Sequence, residues 1–154
     1  MSSNTSKANF SKILVAIDGS EASMDAAEYA LEMTKKFNAE LIALTVIRLP
    51  LSSYGLSSAK NELKRPKEKE EILESKQWFD NLSKKAQQEN IQMKTETINS
   101  QMSIEGEIVE YAEHHDIDLI IMGTKGSSGF KKLLLGSTAS GVITYATCPV
   151  MIVK

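Results

Sequence analysis

Apolar residues follow two rhythms along this chain. Residues 12–17 (KILVAI), 40–47 (ELIALTVI), 119–122 (LIIM) and 150–153 (VMIV) are short apolar runs rich in branched side chains, the character of strands buried on both faces. Residues 92–98 alternate apolar and polar and predict a more exposed strand. Between these runs the apolar positions recur at helical spacing: Ala27, Ala30, Leu31 and Phe37; then Ile72, Phe79, Leu82 and Ala86; then Ile104, Ile108, Tyr111 and Ala112; then Ala139, Val142, Ile143 and Ala146. Ser20 stands where a helix reaching Asn38 needs a cap, with Glu21 in its first turn. A long helix is predicted from Pro66 to about Asn90, its charges forming a solvated face, and another ending near His115. Residues 99–103 read as a turn, and the Ser-, Pro- and Gly-containing stretch 48–64 as a loop with at most a helical turn.

Five strands separated by four helical connections predict an α/β fold of three layers, a parallel sheet with helices on both faces. Right-handed crossovers then limit the topology. Such sheets bind ligands beyond the carboxyl ends of their strands, where the strand order reverses. Both conspicuous breaks in the pattern, Asp18-Gly19-Ser20 and residues 123–138, fall at strand carboxyl ends.

The second break carries the chemistry. It reads Gly123-x2-Gly126-x9-Gly136-Ser137, with Thr138 following, and leads from a strand into the start of a helix. It is neither a P-loop nor the G-x-G-x-x-G fingerprint. Gly123 ends the strand, Gly126 lets a backbone N–H come close to a phosphate, and the residues between Gly126 and Gly136 form a flap. Ser137 and Thr138 add hydroxyls to the unpaired N–H groups at the positive end of a helix dipole, an anion-attracting arrangement. Lys125, Lys131 and Lys132 fit either phosphate attraction or simple solvation. Asp18 fits a ribose acceptor, a ligand for a metal that bridges phosphates, or a residue that serves its own turn.

These residues resemble the universal stress protein family over nearly the whole chain. The resemblance lies in residues 12–20 (KILVAIDGS), residues 116–123 (DIDLIIMG), the glycine spacing, and residues 148–153 (CPVMIV). It is closest to the ATP-binding branch, because every position of the glycine motif is filled. It implies a Rossmann-like sheet in the order 3-2-1-4-5. It implies adenosine contacts from Asp18 and Val46, with Val46 acting through its backbone; Ala16, Ile17 and Met122 are counted with the nucleotide-binding residues. It places ribose and phosphates on Gly123, Gly126, Gly136, Ser137 and Thr138; Gly129 is counted with the nucleotide-binding residues, and Mg²⁺ is expected on Asp18. It also implies a homodimer through residues 150–153, which suits an apolar edge strand. The chain departs from the family in 48–64, which follows no family pattern, and at Thr138, where a small aliphatic residue is common.

Composition narrows the function further. The 154 residues suit one domain over 11–154 preceded by a flexible tail over 1–10. A net charge of −2 argues against a protein that coats nucleic acid. No apolar run has the length of a membrane span, and the first residues lack the apolar core of a signal peptide. The single cysteine, Cys148, excludes an intrachain disulfide and reads as a small buried or half-buried hydrophobe. The expected setting is the cytoplasm. His114 and His115 are adjacent, which rules out metal-ligand spacing on one helical face, and they read as cations on a helix C-terminus. Glu105 and Glu107 read as first-turn acids, and no catalytic residue is assigned. The expectation is a nucleotide-dependent regulatory or stress-response protein that binds ATP, ADP or AMP and serves an unidentified protein partner, with slow or no hydrolysis. A weak ATPase and a nucleotide-independent scaffold are the alternatives.

Overall fold

Side chains of the central strands alternate between two packed layers. Ile13 and Val15 of β1 (Lys12–Ala16), Leu41 and Ala43 of β2 (Glu40–Arg48), and Leu119 and Ile121 of β4 (Leu119–Gly123) face one layer. Leu14, Ile42, Leu44, Ile120 and Met122 face the other. In this computed structural model residues 9–48, 66–124 and 135–154 are described, with side chains from residue 69 onward in the second segment. Gly126, Gly129, Lys125, Lys131, Lys132 and most of 48–64 lie outside them.

With β3 (Gln92–Ser100) and β5 (Val150–Val153) the strands form one parallel sheet in the order β3-β2-β1-β4-β5, as the resemblance implied. Helices α1 (Glu21–Phe37) and α2 (Pro66–Gln88) cover the first face; α3 (Ile104–His114) and α4 (Ser137–Tyr145) cover the second. At the start of β1, Phe10 meets the ring of Phe37 edge-on, with centroids 5.0 Å apart.

The helix ends follow their sequence signals. The Ser20 side chain accepts the N–H of Ser23, and Asn38, left-handed at φ 52°, closes α1 by donating to Lys35 and Thr34 carbonyls. His114 and His115 each set Nδ1 2.9 Å from the carbonyl four residues back, Glu110 and Tyr111. Both rings thus sit against carbonyls of the last turns of α3, the end of the helix where the sequence reading put them. The His115 ring also stacks on Tyr111, centroids 3.8 Å apart.

Two expectations need correction. Residues 99 and 100 are strand and not turn: Asn99 pairs with Ile47 and Ser100 with Arg48, so β2 and β3 support each other beyond the end of their apolar pattern. Ile143 is 46% exposed, because Ala139 and Val142 alone supply the buried stripe of the nine-residue α4.

Asp118, within the DIDLIIMG segment, ties β1 to β4 at their amino ends. Its Oδ2 accepts the N–H groups of Ser11 at 2.8 Å and Lys12 at 2.9 Å, while its own N–H reaches the Lys12 carbonyl at 2.9 Å. Asp118→Ala leaves those two donors without the charged acceptor and is expected to lower stability by about 1–3 kcal/mol, measured by urea unfolding.

Candidate functional site

Two helix N-termini, one from each face of the sheet, converge on the carboxyl end of β4. From the first face comes α1. A Cβ on Gly123 would stand 2.7–2.8 Å from the backbone and Cβ of Ala22, so the first turn of α1 lies directly against β4 and only glycine fits. From the second face comes α4. The Gly136 N–H donates to the Thr124 carbonyl at 2.6 Å, and the Thr124 N–H donates to Val153 at 3.0 Å. The amides of residues 124 and 136 therefore hold the frame together.

The next three amides are differently placed. Ser140 makes the first bond of α4, to the Gly136 carbonyl, so Ser137, Thr138 and Ala139 have no intrahelical acceptor. Gly136, the N-cap, supplies no side-chain bond, and no acid occupies the first turn. The other two helices with described caps differ. Ser20 caps α1 with Glu21 behind it, and Ser103 caps α3 with Glu105 and Glu107 behind it. Of these three N-termini, α4 alone has, among the described residues, neither a side-chain cap nor an acid of its own first turn. Ser137 is exposed and Thr138 half-buried at that end.

Asp18 follows β1, the neighbour of β4. It is exposed, and its Oδ1 accepts the Ser20 N–H at 2.9 Å, while its own N–H meets Ser23 Oγ at 3.2 Å. The turn role is thus visible, and the second carboxylate oxygen leaves capacity for a further donor. Gly19, at φ +81°, lies under the indole of Trp78 from α2, where any side chain would overlap the ring. Sequence reasoning missed Trp78. Its signal was the single tryptophan of the sequence, in register with the buried stripe of α2.

The remaining expected residues divide by depth. Ile17 and Met122 are buried, at 3% and 5% exposure, and Thr45 Oγ donates to the Ile17 carbonyl at 2.8 Å. Ala16 and Val46 are half-buried and pack on the α3–α4 side. Gly123 is buried at the end of β4. The expected set thus gathers at the carboxyl ends of β1, β2 and β4 and the start of α4, with Gly126 and Gly129 outside the described residues. Among the described residues no three His, Cys, Asp or Glu side chains group as a metal site, and no helix is long and apolar enough to cross a membrane.

Cys148 is half-buried between α4 and β5. Desolvation by burial pushes its thiol above the ordinary range, helped by the negative charge of Asp118, while backbone hydrogen bonds pull the other way. A raised pKa lowers the thiolate fraction at any given pH.

The sequence profile described as Universal stress protein family matches residues 9–154. Universal stress protein MJ0531 of Methanocaldococcus jannaschii is 35% identical over 153 residues, covering 94% of this chain and 82% of its own length. The solved structure of universal stress protein UspA from Lactobacillus plantarum superposes with a TM-score of 0.75 at 26% identity, covering 96% of this chain and 99% of that one. The universal stress protein from Archaeoglobus fulgidus solved in complex with dAMP has a TM-score of 0.67 at 20% identity, covering 95% and 99%. This last is a likeness of fold.

Two outcomes follow from the geometry. Gly123→Ala forces α1 away from β4 and is expected to cost about 1–3 kcal/mol of stability by thermal or urea unfolding. Cys148 in the folded protein is expected to react with iodoacetamide at pH 8 more slowly than in the urea-unfolded chain.

Proposed function

The chain belongs to the universal stress protein family, and we propose that it is an ATP-binding member of it, a regulatory protein whose interaction with a protein partner depends on the bound nucleotide. The observation that carries this reading is the N-terminus of α4, which among the described residues has neither side-chain cap nor first-turn acid, with the Ser137, Thr138 and Ala139 amides beside the carboxyl end of β4. Such an end favours a phosphate. The Gly123-x2-Gly126-x9-Gly136-Ser137 spacing that marks the ATP-binding branch is complete in this sequence. The reading is supported by the universal stress protein from Archaeoglobus fulgidus, which shares this fold and was solved in complex with dAMP.

In this reading the phosphates lie on Gly126, Gly129, Gly136, Ser137 and Thr138, next to Gly123. Asp18 meets the ribose or a Mg²⁺ ion. One carboxylate beside a polyphosphate is enough for Mg²⁺, which usually takes one or two carboxylates and completes its shell with substrate oxygens and water. Ala16, Ile17, Val46 and Met122 form the floor for the adenosine half. Hydrolysis is slow or absent, and the protein works in the cytoplasm.

The protein also forms a homodimer through β5. That strand is an edge of the sheet, and Val150, Met151 and Ile152 are only partly covered in the single chain. The preceding helix leaves Ile143 and Tyr145 exposed. An open apolar edge favours pairing with a second copy.

Denaturing the purified protein and analysing the released small molecules by mass spectrometry is expected to give ATP, ADP or AMP. Thr138→Glu places a carboxylate in the first turn of α4, where it favours the helix and opposes a phosphate. That variant is expected to unfold at or above the parent's temperature while binding ATP at least about tenfold more weakly by calorimetry. Equal affinity in both proteins would remove the α4 N-terminus from the site.

A further inference from the structure

Helices α1 and α2 run side by side in the same direction. Glu28 pairs with Lys85, Lys35 lies 4.0 Å from Glu89, and at the other end Gly19, in the turn before α1, meets Trp78. Trp78 therefore stands level with the start of α1. Because α2 begins at Pro66, its first half, about 18 Å of helix, extends past that level. Beyond Trp78, Phe79, Leu82 and Ala86 seat the second half of α2 in the core layer. Trp78 packs half-buried against the same layer, and its ring reaches from there to the turn.

The contact is one of ring on backbone. A Cβ built on Gly19 would overlap Cε2, Cζ2 and Cη2 of the indole, so no side chain lies between the two. Gly19, at φ +81°, directs the next amide, the Ser20 N–H, which donates to Asp18 Oδ1 at 2.9 Å. On its inner side the turn is tied to α1. The Asp18 N–H donates to Ser23 Oγ at 3.2 Å, and the Ser23 N–H to Ser20 Oγ at 3.2 Å. The Ser23 hydroxyl in turn donates to the Ser20 carbonyl at 3.0 Å. The set of the Asp18 carboxylate thus depends on a peptide held from inside by Ser23 and from outside by the indole. Close-packed groups transmit displacement, so a shift of that peptide is met by the ring.

We propose that Trp78 is a positioning residue for Asp18, and that its contact with Gly19 couples occupancy of the crevice to α2. The proposal rests on the nucleotide-binding reading above, in which Asp18 meets the ligand, and assigns the regulation of that site. The coupling is reciprocal. Whatever free energy the indole adds to nucleotide binding by holding the turn, the nucleotide returns as firmer seating of the indole. Since α2 continues past the contact, that seating is carried into its first half.

Trp78 is the sole tryptophan of the chain, so its emission reports on this contact alone. In the parent, saturating ATP is expected to shift that emission and to lower its quenching by acrylamide. Dissociation constants for ATP are then measured by calorimetry on the full chain for parent, Trp78→Leu, Asp18→Asn and the double variant, with unfolding temperatures recorded alongside. Leucine keeps an apolar group against the core layer and removes the ring. Asparagine keeps an oxygen for the Ser20 N–H and removes the charge offered to the ligand. Trp78→Leu is expected to weaken ATP binding by about tenfold in the parent, and by much less where Asp18 is already Asn. A merely structural tryptophan would cost the same factor in both backgrounds, and that result overturns the proposal. So does ATP that binds by calorimetry and leaves the emission and quenching of the parent unchanged, an outcome that needs no variant to fold. A parent that binds no ATP overturns the nucleotide-binding reading itself, and the coupling with it.

Discussion

The structure turns on an absent β-carbon. At Gly123 the sheet and the first turn of α1 approach so closely that a methyl group would meet the backbone of Ala22 at 2.7 Å. That contact fixes the height of α1 above β4, and with it the capped turn Asp18-Gly19-Ser20 that leads into the helix. Trp78 bears on the same turn from α2, over a glycine that must be left-handed. Across the sheet the Thr124 carbonyl draws in the Gly136 N–H and so sets where α4 begins. Close packing at one residue thus brings elements from both layers to the crevice.

The electrostatics of that crevice are decided by what the helix starts carry. The ends of α1 and α3 are neutralised from within, by Ser20 with Glu21 and by Ser103 with its neighbouring acids. The end of α4 has glycine as its cap and hydroxyls behind it. A net charge of −2 spread over the molecule would not draw a phosphate. In the proposed reading the first amides of α4 would do so, since the field of a helix start acts within a turn and needs no basic surface.

Much of this was legible in the sequence, for identifiable reasons. Strands buried on both faces announce themselves as unbroken apolar runs, so β1, β2, β4 and β5 were found to within a residue or two. Caps at Ser20 and the two histidines obey local rules that operate within one helical turn. What the sequence concealed depends on partners distant in the chain. Asn99 and Ser100 look like turn residues and become strand because β2 offers the matching edge. Ile143 has helical spacing but points outward because α4 buries only a narrow stripe. The engagement of Glu107 with Ser100, and of Trp78 with Gly19, arises only when β3 meets α3 and α1 meets α2.

Frame and site use different kinds of group. The groups that fix the frame are satisfied within the chain: Asp118 takes two amides, Thr45 meets the Ile17 carbonyl, and the amides of residues 124 and 136 bond to neighbouring segments. The groups proposed for the ligand are those whose capacity the described residues leave over, namely the first amides of α4 and the second oxygen of Asp18. A fold arranged this way stands without its ligand, and occupancy adds stability by mass action in proportion to the logarithm of ligand concentration over its dissociation constant. Under the proposed reading Asp18 divides its oxygens between the α1 turn and the ligand, so occupancy would bear directly on that turn. That turn is where the nucleotide state, as proposed, has a mechanical route to the helical surface.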